Sequence, residues 1–499
     1  MERSSTNILS TWDRVAALPG KKILGLLFVA ALLVRIIVMV ISPYPYHGLI
    51  GGEMISDAVE YDILARNLAS GGGFGFYPGV PTAFRNPLLP LLGAAVYIVT
   101  GPHPVAVQVV LILLGSLVPP VLFALAQKFV EPPTALLAAG IAVFYPPLAT
   151  FSNSFMTETP FALLLLMTLL CWSRFSQTTH GGWGLIILGG IFLGLAMLTR
   201  STVLPMIALW VLYLLIDGGR ERWKHLVRLA VFCVVAFLVI LPWSLRNHRV
   251  FGRWVPITTN GGYTLWQRYN PLPPDGTVNS RQDIQKELVR IYEITQSRID
   301  AGEDPIAVMR PYMAQTVRGY LLRLGPQEKR YVHSFDGMNE AQVDKRLFRE
   351  AFATMIKFPG RSAVKIVKNA IKYWEPFHDP DLKHRHRQYS LSYGVLAFFM
   401  AWGLWLSRHQ RRRFMLLFIA IIAFWVISAV GLHVIRYRLP IETVGMIFAA
   451  TAVIALFRRH KTQWVPWIVI GAVILANIMI MLFAAPWLQQ VRQTIHDIG

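Results

Sequence analysis

The sequence predicts an all-α polytopic membrane protein, a bundle of about 11 transmembrane helices. Three observations carry that expectation. Of 499 residues, 54% are hydrophobic and only 15% are charged, above the roughly 45–50% apolar share of soluble domains. The apolar residues gather into long blocks, and lipid admits only segments that satisfy their own backbone hydrogen bonds. The basic residues behind the net charge of +21 cluster in short loops between those blocks, as cytoplasmic loops do. This placement explains the charge without nucleic acid, which is not expected as a partner, whereas the lipid bilayer is.

The first block, Ile23 to Ile41, is about as long as the roughly 20 residues a bilayer core requires. It lacks a small-residue cleavage site and many blocks follow, so it reads as an anchor. Twelve blocks can be marked, near 23–42, 87–100, 104–126, 134–150, 155–173, 183–198, 202–216, 226–243, 391–406, 414–432, 441–457 and 466–486. Basic clusters test which of them cross. Arg14, Lys21 and Lys22 precede the first block, and Arg220, Arg222 and Lys224 the eighth. Arg408 with Arg411, Arg412 and Arg413 precede the tenth, and Arg458, Arg459 and Lys461 the last. If every cluster is cytoplasmic, an even number of crossings separates any two. The first interval holds seven blocks, so one of them does not cross. The stretch "PLLPLLGAAVYIVT" (87–100) is short and begins with Pro87 and Pro90, as an interfacial or re-entrant segment would. Eleven spans remain, with the N-terminus inside and the C-terminus outside.

The chain then divides into an N-terminal transmembrane module, 1–243, a large extracytoplasmic loop, 244–388, and C-terminal transmembrane helices, 389–499. The module contains a first external loop, 43–103, with membrane-hugging helices. In the large loop, "RSAVKIVKNAIKYW" (361–374) sets Val364, Val367 and Ile371 on one face and lysines on the others, the pattern of a basic helix lying on a membrane surface. "NSRQDIQKELVRIYEITQ" (279–296) also has helical spacing. Cys171 and Cys233 fall inside apolar blocks as small packing side chains.

The polar residues of interest lie on the outer side. In "SDAVEYDILARNLASGGGFGF", Asp57, Glu60, Tyr61 and Leu64 fall on one helical face. Ser56 is placed to cap that helix and Gly71–Gly73 to end it. A carboxylate at the membrane exit, as Asp57 is, is costly without a task, although first-turn acids also favour the helix dipole. Arg85 in "PTAFRNPLLP" is a cation at headgroup depth, suited to a lipid phosphate. Glu158 in "YPPLATFSNSFMTETP", Arg200 in "AMLTRST", and Arg436 with Arg438 in "HVIRYRLPIE" sit at other external turns, where arginines run against the usual bias. His433 stands alone and no metal-ligand spacing appears. "GGGFGF" is not a nucleotide-binding loop, since no lysine follows and no strand leads into it. Carboxylates and arginines at one membrane face suit transfer of a group carried on a lipid phosphate.

Three stretches together resemble the GT-C glycosyltransferases, multispan enzymes that take sugars from polyprenyl- or dolichyl-phosphate. They are "SDAVEYDILARNLASGGGF…PTAFRNPLLPLLGAAVY", "LPWSLRNHRVFGRWVPITTNGGYTLW" and "RYRLPIE". "YPPLATFSNSFMTETPF" and "GLAMLTRST" add to the match. The chain is most similar to bacterial relatives of protein O-mannosyltransferases and of the lipid A aminoarabinose transferase, over most of residues 20–457 with 272–340 unmatched. The resemblance implies that Asp57 is the catalytic base or acceptor-orienting carboxylate, and that 87–100 is a juxtamembrane helix. It also implies that Arg85 and Arg438 meet the donor phosphate and that Thr259–Gly262, with Asn260, form a turn facing the cavity. "WQRYNP" departs from the family pattern, which puts in question a specificity role for Gln267 to Asn270.

The expected function is therefore an inverting glycosyl transfer from a polyprenyl-phosphate sugar donor to an extracytoplasmic acceptor (protein, lipid A or polysaccharide) at the outer face of a bacterial plasma membrane. Asp57 and Glu158 are the catalytic candidates, and Glu60, Tyr61, Arg85, Arg200, Asn260, Arg436 and Arg438 the substrate-binding ones. No cofactor is expected, and no ligand set in the sequence supports a divalent metal. Two other readings stay open: a flippase of lipid-linked glycans, and a non-catalytic assembly subunit of the same fold.

Overall fold

The computed structural model describes residues 18–41, 57–76, 79–175, 182–217, 221–269, 337–376, 390–431, 435–459 and 464–479, with isolated residues between them. The expected cap Ser56, the 279–296 segment, Asn270 and His433 lie outside the described residues. The described elements are helical. α1, Gly20–Ile41, has 22 residues and is about 33 Å long at roughly 1.5 Å per residue, enough to cross a hydrocarbon core. Its Leu26, Val29, Leu33, Ile37 and Val40 stay exposed. Such an exposed apolar face is an anomaly in water and the normal state in lipid.

The polar helix α2, Asp57–Ala69, follows. It ends where Gly72 N–H reaches the Asn67 carbonyl at 2.7 Å, with Gly71 and Gly73 at positive φ, the conformation glycine adopts without a Cβ penalty. α3, Leu88–Thr100, has 13 residues. At about 20 Å it is too short to cross unaided, and it packs along α2. α4, Pro104–Ser116, and α5, Val118–Ala126, make one 23-residue apolar stretch. α6, Pro132–Phe144, and α7, Pro146–Ser152, form a pair bent by 55°. The bend falls at Tyr145, which is extended; Pro146 disfavours the helical conformation there and has no N–H to continue the ladder.

α8, Glu158–Phe175, α9, Trp183–Thr199, and α10, Leu204–Asp217, continue the bundle. α11, Arg222–Phe251, has 30 residues. A Cβ added to Gly190 of α9 would lie 2.7 Å from the Phe232 carbonyl oxygen, and one on Gly194 2.8 Å from that of Ala236. Small residues therefore set how closely α9 and α11 approach, as is common between helices in lipid. α15, Leu391–Ser407, α16, Arg411–Val430, α17, Leu439–Arg459, and α18, Trp464–Met479, complete the membrane part. By length and composition, five helical stretches among the described residues can cross a membrane, or six with the bent pair. The chain is a multi-pass membrane protein.

A polar layer covers one end. It holds α12, Gly261–Tyr269, α13, Glu340–Lys357, and α14, Pro359–Lys372. Val59, Ile63 and Leu64 of α2 share an apolar cluster with Phe74, Phe76, Phe84, Trp266, Val343 and Leu347, which ties this layer to α2. Buried Glu340 clasps it further, accepting from Thr82 Oγ1 at 2.6 Å, from the Ala83 N–H at 2.8 Å and from Thr259. α14 turns Val364, Val367 and Ile371 outward, each more than half exposed. On its other side Asn369 donates to the Ala429 and Gly431 carbonyls at 3.2 Å.

Two expectations need correction. The module boundary at residue 243 falls inside α11, which runs through Pro242 to Phe251. The helix stops where Gly252 takes the left-handed conformation and its N–H caps the His248 carbonyl at 2.9 Å. The expected turn at Thr259–Gly262 runs into α12 at Gly261, where Asp344 accepts from the Gly262 and Tyr263 N–H groups at 2.7 and 3.2 Å. Arg35, a mid-span charge, is fully buried and donates to Ser152 Oγ and the Ala31 carbonyl, both at 3.1 Å.

Candidate active site

Five helix ends converge beneath the polar layer. Asp57 and Glu158 are the first residues of α2 and α8, where the free N–H groups and the helix dipole favour negative charge. Arg85 comes from the loop before α3, Arg200 directly follows α9, and Arg436 sits in a 3₁₀ turn, Ile435–Arg438, leading into α17. Asp57 Oδ1 accepts from Arg85 Nη2 at 2.6 Å, and Oδ2 from Arg436 Nη2 at 2.5 Å. Arg85 Nε also binds Glu60, one helical turn beyond Asp57. Glu158 Oε1 accepts from Arg200 Nη1 at 2.9 Å and lies 3.5 Å from Arg436 Nε. Arg436 thus bridges two carboxylates brought from opposite halves of the N-terminal module.

Three carboxylates face three guanidiniums, so the cluster is formally neutral, a condition for holding so many charges out of water. Asp57 remains 15% exposed at its side chain, whereas Glu158 is 1% exposed. Burial alone would raise the Asp57 carboxyl, but Arg436, Arg85 and Arg200 outweigh it and hold the group below the usual carboxylate range. Arg85 is driven the other way: burial disfavours its charge, yet Asp57 and Glu60 push it well above the ordinary arginine value. Burial, with Asp57 adding to it, raises the phenol of Tyr61 and keeps it neutral. Glu158 Oε2 is buried and has no hydrogen-bond partner, an acceptor oriented into the cluster and left open.

Asp57, Glu60, Tyr61, Arg85, Glu158, Arg200 and Arg436 therefore come together. Arg438 does not. It is 2% exposed, pairs with Glu442 at 2.5 Å, donates to the Tyr373 and Glu375 carbonyls at 3.0 and 2.8 Å, and lies 3.2 Å from the Tyr393 ring centroid. Tyr145 Oη in turn donates to Glu442 at 2.8 Å. Arg438 Nε and Nη1 thus join α17 to the segment that follows α14, away from the Asp57 cluster. Asn260 also stays apart, accepting from Thr264 Oγ1 at 2.8 Å inside α12.

Two residues of the cluster escaped the sequence reading. Thr157 Oγ1 accepts from Arg200 Nη1 at 2.9 Å, and the Tyr437 ring lies 4.3 Å from the Arg200 guanidinium. The only signal for either was its place beside a charged residue. Among the described residues, no three His, Cys, Asp or Glu side chains surround a common point, and both Asp57 oxygens are taken by guanidiniums.

Residues 84–245 match the model of the dolichyl-phosphate-mannose-protein mannosyltransferase family. The fold is similar to that of the oligosaccharyltransferase AglB of Archaeoglobus fulgidus, solved with an inhibitory peptide and a dolichol-phosphate. The TM-score is 0.51 at 16% identity, over 93% of this chain and 55% of that one. An Archaeoglobus fulgidus oligosaccharyltransferase tethered to an acceptor peptide gives 0.50 at 16% identity, over 93% and 54%. The chain thus spans about half the length of these proteins. A more distant likeness, TM-score 0.40 at 17% identity over 85% and 77%, is to ArnT of Cupriavidus metallidurans bound to undecaprenyl phosphate. Curated protein sequences give no significant match. The chain thus shares the fold of these oligosaccharyltransferase structures, and its segment 84–245 matches the protein-mannosyltransferase family model.

Proposed function

We propose that this protein is an inverting membrane glycosyltransferase, taking a sugar from a polyprenyl-phosphate carrier to an extracytoplasmic acceptor. The observation that carries this reading is the neutral carboxylate–guanidinium cluster at one end of the bundle. It supplies a base and a set of phosphate-binding cations within hydrogen-bond reach of one another. The dolichol-phosphate held by the archaeal oligosaccharyltransferase of the same fold supports a lipid-phosphate donor. In the full reading the bundle crosses eleven times, and the cluster opens on the outer face of a bacterial plasma membrane.

The free site holds Asp57 as a weak base, because two guanidiniums stabilise its ionised form. A donor phosphate entering the cluster competes for Arg85 and Arg436. As they turn to it, Asp57 loses the cations that depress its pKa and gains basicity when an acceptor needs it. Asp57 then takes the acceptor hydroxyl proton, and the oxygen attacks C1 of the sugar from the face opposite the phosphate. The C1–O bond breaks with its electron pair staying on the phosphate, which the arginines stabilise at about 1.5–3 kcal/mol per charged hydrogen bond. Glu158, through its open Oε2, accepts a hydrogen bond from a sugar or acceptor hydroxyl.

A flippase would be expected to place its polar groups near the bilayer midplane, whereas here, apart from buried Arg35, the charged groups of the site gather at helix ends. The test uses the full chain in liposomes holding a radiolabelled polyprenyl-phosphate sugar and a crude acceptor extract. Label leaving its carrier for a new species with wild type, and not with Asp57→Asn, is the expected result. Label crossing the bilayer while still on its carrier, unaffected by Asp57→Asn, would overturn the proposal in favour of transport. Neither transfer nor transport would leave the assembly-subunit reading.

A further inference from the structure

At the opposite end of the same helices lies a cavity of about 370 Å³, apart from the carboxylate–guanidinium cluster. It is walled by the ends of α8, α10 and α16, the start of α11 and the turn after α5. Trp172 of α8 stacks on Trp210 of α10, ring centroids 5.1 Å apart and 13° from parallel. Lys128, His225, Arg412 and Arg413 line the mouth, with Asp217 as the one carboxylate. Asp217 holds Arg412 at 2.9 and 3.4 Å, which leaves the lining with an excess of positive charge. Trp210 is only 2% exposed, and its indole Nε1 is buried without a hydrogen-bond partner. A buried indole donor normally finds an acceptor, so this cavity wall lacks one. Leu416 and Ile419 continue the lining as apolar side chains.

Trp172 is 14 residues from Glu158 along α8, which puts the cavity roughly 20 Å from the carboxylate–arginine cluster. All the lining helix ends belong to the basic side of the bundle, the side that the charge bias assigns to the cytoplasm.

We propose that this cavity is a binding site for the headgroup of an anionic phospholipid of the inner leaflet. The cations meet the phosphate, an oxygen of the headgroup accepts from Trp210 Nε1, and the acyl chains leave along the apolar wall toward the bilayer. Basic pockets between transmembrane helices on the cytoplasmic side suit such headgroups, and a charge-assisted contact to phosphate is stronger than one to a zwitterion's balanced headgroup. The inference stands apart from glycosyl transfer and does not depend on it.

The test takes the full-length protein through delipidation and measures its melting temperature and co-purifying lipid after adding phosphatidylglycerol, phosphatidylcholine or inorganic phosphate. Phosphatidylglycerol should raise the melting temperature by several degrees more than phosphatidylcholine, and should be retained at least threefold better. Lys128→Gln with Arg413→Gln should remove that preference while leaving the melting temperature in phosphatidylcholine unchanged. Trp210→Phe keeps an aromatic side chain but removes the N–H with the five-membered half of the indole; it should lower phosphatidylglycerol retention by twofold or more without changing the melting temperature in phosphatidylcholine. Equal effects of the two lipids, or a preference that survives in all these variants, would overturn the proposal. Millimolar inorganic phosphate matching phosphatidylglycerol would also overturn it, by showing a soluble anion site.

Discussion

Arg436 and Arg438, two residues apart, illustrate how little of a side chain's task shows in its motif. Both sit in "RYRLP"; both are substrate-binding candidates by sequence, and of the two the family resemblance singles out Arg438 for the donor phosphate. The 3₁₀ turn sends Arg436 to Asp57 and Glu158 and buries Arg438 against Glu442 and Tyr393. The two should therefore fail differently. Arg438→Ala leaves Glu442 buried with one partner fewer, a loss of about 3–5 kcal/mol, read as a large fall in melting temperature or in yield of inserted protein. Arg436→Ala removes a guanidinium that is 12% exposed at its side chain; it should cost most of the transfer activity with a smaller change in melting temperature. Asp57→Asn should lower transfer by about 10²–10⁴-fold, the range for a lost general base, with the fold retained. Transfer assays and thermal unfolding of the same preparations separate these outcomes.

Among elements, those set by a single physical rule were legible. α3 followed from its length and prolines, the end of α2 from Gly71–Gly73, and the exposed face of α14 from its spacing. What was not legible depended on partners distant in sequence. α11 continues past the end of its apolar run because Asn247 and Arg246 find carbonyls at Val255, Ile257, Thr82 and Phe74, and no local pattern announces those. The start of α12 likewise depends on Asp344, about 80 residues downstream. That carboxyl gives a pH prediction. Burial pushes it up to about 6, against the pull of the Tyr263 and Gly262 N–H groups and with Glu340 adding to the rise. Raised above its unfolded value, it binds more protons folded than unfolded between the ordinary carboxylate range and about 6. Its contribution to stability is thus greatest at the acidic end and falls as pH rises through that window. Asp344→Asn keeps the acceptor oxygen and removes the titration. The melting temperature of wild type relative to this variant should drop from pH 5 to pH 7.

Over the whole molecule, charged clusters mark both ends of the bundle. Asp57, Arg85, Glu158, Arg200 and Arg436 meet at one, while Asp217 with Arg412 and Glu131 with Arg458 pair at the other. Sidedness is then testable with an impermeant maleimide on a background in which Cys171 and Cys233 are alanine. Lys357→Cys should label in intact cells, and Lys224→Cys only after permeabilisation; the reverse pattern would invert the topology. The span of the chain between Asp57 and Arg436, 379 residues, also bears on biogenesis. At about 5–20 residues per second, roughly 20–80 s of synthesis separate the two. Once Arg200 has been made and until Arg436 follows, the nascent protein holds three acids against two arginines, and the mouth of the future site carries an unmatched negative charge. The ribosome must deliver the C-terminal helices before that charge is balanced, so a nascent chain stalled short of α17 would stay a catalytically silent intermediate, open to quality control.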